Sequence, residues 1–111
     1  MADFISIEDK AGLERFLAEA NGQPVVIFKH SNTCGVSSRA YRELTSFSGP
    51  VGLVIVQQAR DVSDQIERST GVAHETPQVL VLRDNELVFT ASHFQVKAET
   101  LEEELRRLSG K

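Results

Sequence analysis

The chain has 111 residues, with 12 Lys and Arg against 16 Asp and Glu and a formal net charge of −4. Its 41% hydrophobic and 25% charged residues suit one compact domain over residues 1–111 and exclude a disordered chain. The acidic balance, with no Lys/Arg stripe, excludes the footprint of a nucleic-acid binder, and the longest apolar stretch (residues 50–56) is too short for a membrane span.

Residues 4–7 read as a short strand with Phe4 and Ile5 as its apolar content. Ser6 or Asp9 then caps a helix running to about Ala20, with Leu13, Phe16, Leu17 and Ala20 at helical spacing. Asn21-Gly22 stops it, and residues 25–28 form a β-branched run suited to a strand buried on both faces. A polar loop over residues 30–33 leads to Cys34. A helix from Val36 to about Phe47 follows, its stripe formed by Ala40, Tyr41, Leu44 and Phe47. Residues 51–56 give a second buried strand, and Asp61 or Ser63 caps a helix of roughly residues 62–69, closed by Thr70-Gly71. Residues 79–82 and 87–91 read as strands joined by a tight turn at residues 83–86, since Asp and Asn tolerate turn geometry. The last helix covers about residues 98–108, with Leu101, Leu105 and Leu108 facing inward. Strands separated by helices imply parallel crossovers, and the final pair an antiparallel hairpin. The fold class is therefore α/β: a central mixed β-sheet flanked by helices on both faces.

Cys34 is the only cysteine. It sits at the start of a helix, where unpaired N–H groups and the helix dipole favour an anion. The thiolate is the nucleophile of sulfur exchange, so the position suits a reactive thiol; the alternative is a buried, inert cysteine. With no second cysteine, any redox partner must come from another molecule. A lone cysteine and an N-terminus of Met1-Ala2-Asp3-Phe4, without a basic and apolar leader, lead us to expect the reducing cytoplasm. Thr33 precedes the nucleophile and can cap its helix. His30, His74 and His93, if cationic, would each favour the thiolate; otherwise each is a solvated or hydrogen-bonded loop residue. Their spacing with Cys34 matches no compact zinc motif, so no metal is expected. The acidic triplet Glu102-Glu103-Glu104 reads as a solvated helix face.

The cysteine between the first buried strand and its helix, in Cys34-Gly35-Val36-Ser37, with Thr76-Pro77 before the penultimate strand, resembles the thioredoxin-like fold. That resemblance implies a cis Pro77 opposite Cys34, with the Thr76 backbone offered to an extended substrate. More particularly, Lys29-His30-Ser31-Asn32-Thr33-Cys34, Ser37, Ala40, Glu75-Thr76-Pro77-Gln78 and Ala91-Ser92-His93-Phe94 resemble the monothiol bacilliredoxin family, also called YtxJ-like. Members usually carry Thr-Cys-Pro-Ile-Ser, whereas this chain has Gly35 and Val36. The resemblance implies a cytoplasmic thiol–disulfide oxidoreductase that removes bacillithiol, a low-molecular-weight thiol, from S-thiolated client proteins. No bound cofactor is implied; bacillithiol or another small thiol is the co-substrate.

On that resemblance Cys34 is the nucleophile, and Ser37, in the place of a resolving cysteine, donates a hydrogen bond to its thiolate; otherwise Ser37 is a plain polar residue in the first turn. Lys29, His30, Thr33, Gly35, Thr76, Pro77 and His93 are the substrate-binding candidates. Lys29 would attract the carboxylates of the malate moiety of bacillithiol; otherwise it is a strand-end lysine with its ammonium in water. Phe28 stands where thioredoxins bury an acid, which suits a protein that resolves no internal disulfide. A rival resemblance, to the Cys-Gly-Phe-Ser motif of monothiol glutaredoxins, implies a [2Fe–2S] carrier using a small thiol. The Gly-Gly-Cys-Asp-like segment of those proteins is replaced here by residues 91–95. A third alternative is a non-catalytic thioredoxin-like interaction module.

Overall fold

A computed structural model describes residues 2–109. Five strands form one sheet in the order β1-β3-β2-β4-β5. They are β1 (Ala2–Ser6), β2 (Val25–His30), β3 (Gly49–Ile55), β4 (Gln78–Arg83) and β5 (Glu86–Ser92). The three N-terminal strands run parallel, while β4 is antiparallel to both β2 and β5. Four α-helices lie among the described residues: α1 (Lys10–Ala18), α2 (Gly35–Leu44), α3 (Arg60–Thr70) and α4 (Ala98–Ser109). A short 3-10 turn, His93–Gln95, precedes the last of them.

Period-two alternation along β2 divides the core. Val26 and Phe28 point to the face covered by α2 and α4, where they meet Ala40, Leu44, Phe47 and Leu101. Ile27 points to the opposite face and joins Leu13, Phe16, Val62 and Ile66 of α1 and α3. Phe28 is fully buried, and such a side chain contributes about 1.5–3 kcal/mol through its removal from water.

Most element boundaries follow from local chemistry. Asp9 caps α1, its carboxylate accepting the Gly12 N–H at 2.7 Å, and Ser6 is left inside the strand. Asp84 (φ 53°) and Asn85 (φ 66°) form the two-residue hairpin turn that their side chains favour. Gly71 ends α3 at φ 76°, a left-handed conformation that costs glycine little.

Four expectations are corrected. β2 continues through Lys29 and His30, so His30 lies on a strand and not in a polar loop. α2 ends at Leu44, since Thr45 turns back onto Arg42; Phe47 stays buried beyond the helix. α1 likewise ends at Ala18, before the expected Ala20. Neither Asp61 nor Ser63 caps α3, which starts at Arg60 from the turn after β3 and has Ala59 as its cap residue without a side-chain bond.

Gly52, in the middle of β3, lets α1 lie close against the sheet. A Cβ there would stand 2.7 Å from Ile7 Cδ1 and 2.9 Å from Phe16 Cε2. We expect Gly52→Ala to cost about 1–3 kcal/mol by overpacking. Denaturant unfolding measures this, and an unchanged midpoint would show that the α1 face yields freely.

Candidate active site

Strand β2, central in the sheet, delivers the chain to the rim formed by the C-terminal ends of the parallel strands, and residues 31–33 carry it into α2. Cys34 is the N-cap residue of that helix, with extended backbone (φ −113°, ψ 126°); its carbonyl accepts the Ser38 N–H at 3.0 Å. Cys34 is partly exposed as a residue, and its sulfur has no hydrogen-bond partner among the described residues. Beside it, Gly35 is exposed, and a Cβ added there would meet nothing within 4 Å. The space beside Gly35, the residue that follows the cysteine, is thus open.

Ser37 lies one turn on and is fully buried. Its Oγ accepts the Ser31 N–H at 2.9 Å and pairs with His30 Nδ1 at 2.8 Å. The expected bond to Cys34 is replaced by this tie between the helix and the end of β2. His30 is itself buried, its ring 5.4 Å from Phe28 and 5.2 Å from Tyr41. Burial pushes its pKa below the ordinary value, with the Ser37 hydrogen bond opposing. His30 is therefore harder to protonate than an ordinary histidine.

Thr33 does not cap α2. Its Oγ1 bonds Ser31 Oγ (3.3 Å) and accepts from Gln57 Nε2 (3.0 Å). Gln57 also donates to Ser31 Oγ at 2.8 Å and accepts the Asn32 N–H at 3.3 Å, so one amide clamps all three loop residues. The sequence reasoning passed over Gln57. The signal was available: β2 and β3 are adjacent and parallel, so the loops at their C-terminal ends share one sheet edge.

Lys29 is corrected on both of its expected roles. Alternation places it on the α3 side of the sheet, fully buried. Its ammonium donates to the Ser63 carbonyl at 3.1 Å and lies 3.4 Å from His74 Nδ1, which also pairs with Ser63 Oγ at 2.9 Å. Desolvation pushes the Lys29 pKa down, against the raising effect of Glu67 and Asp64. Burial and then the Lys29 charge push His74 down as well. Lys29 is thus sealed from any ligand, while His74 is exposed but tied to Lys29 and Ser63.

Thr76-Pro77 is a cis peptide bond. Lys29 pairs with Gln78 across β2 and β4, so Pro77 stands one position further, level with His30 at the edge from which the Cys34 loop departs. The Pro77 carbonyl accepts the His93 N–H at 2.9 Å, and His93 Nδ1 lies 3.2 Å from Glu75 Oε1. The 3-10 turn in turn touches α2, where the Arg39 guanidinium sits 5.6 Å from the Phe94 ring centroid. Thr33, Cys34, Gly35, Thr76, Pro77 and His93 thus gather at one edge. His30 and Ser37 sit beneath it, and Lys29 is apart. No group of three or more potential metal ligands occurs among the described residues.

A sheet of this topology, with one thiol at a helix start and a cis proline on the neighbouring strand, defines a thiol–disulfide oxidoreductase of the thioredoxin fold. Comparisons agree. A structure described as a candidate oxidoreductase with a thioredoxin fold is 31% identical, with a TM-score of 0.83 over 90% of this chain and 91% of that one. The thioredoxin of Fasciola hepatica (17% identity, TM-score 0.73, 92% and 96% coverage) shares the fold. So does a poplar thioredoxin h mutant (18%, 0.73, 99% and 85%). The family profile of monothiol bacilliredoxin BrxC matches residues 5–101, and the chain belongs to that family.

Two outcomes test the buried tie. Ser37→Ala should cost about 1–3 kcal/mol by leaving the Ser31 N–H and His30 Nδ1 unpaired, measured by equilibrium unfolding. His30 is harder to protonate in the fold than in the unfolded chain, so its contribution is complete above a pH of about 6.5 and is lost as pH falls through its lower folded value. Stability should therefore fall on acidification below that point, and less steeply in His30→Asn; equal slopes would place the acid sensitivity elsewhere.

Proposed function

We propose that this chain, acting as one domain over residues 1–111 in the cytoplasm, removes bacillithiol from protein mixed disulfides through Cys34. One observation carries the reading: the only sulfur nucleophile caps a helix, partly exposed and free of hydrogen-bond partners among the described residues. The Cys34 thiolate attacks the bacillithiol sulfur of the client disulfide. A Cys34–bacillithiol disulfide forms, and the client leaves as a thiolate. A second bacillithiol thiolate then attacks the bacillithiol sulfur on Cys34, releasing bacillithiol disulfide and restoring the Cys34 thiolate. Each step forms one S–S bond and breaks one.

Family membership supports a small thiol as co-substrate. Phe28, apolar and fully buried, fits a cycle with no internal dithiol. The Thr76 backbone offers the groups along which an extended client lies, Pro77 and His93 shape that surface through their own mutual hydrogen bond, Gly35 leaves the approach open, and Thr33 shapes the loop that carries Cys34. Ser37 and His30 act as positioning residues beneath the thiol. Lys29 has no place at this surface.

The test presents the reduced protein with a bacillithiol-capped client and follows both by mass spectrometry. The expected result is one bacillithiol mass on Cys34, a freed client thiol, and loss of both in Cys34→Ser. Release of the client thiol by Cys34→Ser at the wild-type rate would refute the reading.

A further inference from the structure

A cavity of about 220 Å³ opens between α2 and the segment after β5, lined by Val36, Arg39, Glu43, Phe94, Lys97 and Glu99 among others. Val36 lies in the first turn of the helix that Cys34 caps, and His93 also lines the cavity, so one end of it lies in the region of the nucleophile, although Cys34 itself is not a lining residue. Its two full cations are unused. Arg39 faces the Phe94 ring, and among the described residues neither Arg39 nor Lys97 lies within 4.0 Å of a carboxylate, although Glu43 and Glu99 line the same space. Phe94 is 63% exposed, although phenylalanine is usually buried. A guanidinium fork and an ammonium suit a carboxylate. The two acids suit hydroxyl or ammonium donors on the same ligand, and the ring supplies an apolar floor. A space of this size accepts part of a small molecule and not a protein surface.

We propose that this cavity binds the carboxylate-bearing part of the small thiol while its sulfur reacts at Cys34, with Arg39 as the principal contact. The inference rests on the exchange chemistry proposed above but not on the identity of the thiol. In the reaction the Cys34 thiolate attacks a small disulfide, one half stays joined to Cys34, and the other leaves as a thiolate. Arg39 and Lys97 hold the carboxylate of the half that stays.

The test measures the rate of Cys34 adduct formation with bacillithiol disulfide, glutathione disulfide and 2-hydroxyethyl disulfide, the last carrying no charge. Arg39 and Lys97 are exposed, so Arg39→Gln and the double variant with Lys97→Gln leave the core untouched. Arg39→Gln should slow both carboxylate-bearing disulfides about tenfold, the effect of one lost charge-assisted contact, and the double variant further. The hydroxyethyl rate should stay within about twofold, since it makes no such contact. High salt should erase most of the wild-type advantage for charged substrates. Equal slowing of all three disulfides, or of none, overturns the proposal. So does slower client release by Arg39→Gln whichever small group caps the client, which would give the cavity to the client. Equal wild-type rates for bacillithiol and glutathione disulfides would retire bacillithiol as the particular thiol, while selective slowing by Arg39→Gln would still uphold the cavity. No adduct from any disulfide would defeat both proposals together.

Discussion

The Ser37 hydroxyl is the contact on which the reactive edge depends. It accepts the N–H of Ser31, the first residue after β2, and pairs with the last side chain of that strand, His30. A rigid sheet is thereby joined to the first turn of α2 at the point where Cys34 must be held. Without a second cysteine in this turn, the position is free to take a small, fully buried hydroxyl whose task is geometric. Gln57 secures the same loop from outside, through two exposed bonds that water can replace at little cost and one part-buried bond to Ser31. The inner tie is the stronger constraint, because no solvent waits to satisfy its members if it opens.

Strand β2 serves two faces at once. On one side Phe28 and His30 build an aromatic wall with Tyr41, and Phe4 stacks on Tyr41 at 4.6 Å. On the other, Lys29 and Ser63 bind His74 at the approach to Thr76-Pro77. The buried ammonium therefore links α3 to the loop that brings Pro77 to the edge. Its energetic justification lies in a carbonyl acceptor and two nearby acids, Glu67 and Asp64, which offset part of its desolvation.

Element order, sheet type, both central strands and the hairpin turn were legible in the sequence, because alternation, β-branched runs and Asp-Asn turn chemistry are local signals. Asp9 as a cap and Gly71 as a stop were legible for the same reason. The end of β2 was not. Lys29 and His30 are polar, and polarity at a strand end reads as solvent when the burying partners lie far along the chain; the Ser63 carbonyl that receives Lys29 is 34 residues away. Ser63 looked like a cap because serine so often is one, yet its hydroxyl serves His74. Cys34, Gly35 and Thr76-Pro77 were found as a motif. Ser37 was placed in the right turn but given the wrong bond, since spacing does not reveal which way a hydroxyl points. Gln57 and Arg39 carry no motif and are meaningful only once the topology sets the loop after β3 and the segment after β5 beside the start of α2.

A solitary sulfur also has a kinetic consequence. A two-cysteine exchanger ejects its captured partner by an intramolecular step whose rate ignores the surroundings. Here, escape from any disulfide on Cys34 waits for a collision with a free thiol, so its frequency scales with the abundance of that thiol. In a depleted pool the protein remains capped, and its idle fraction becomes a readout of how much reducing capacity is left.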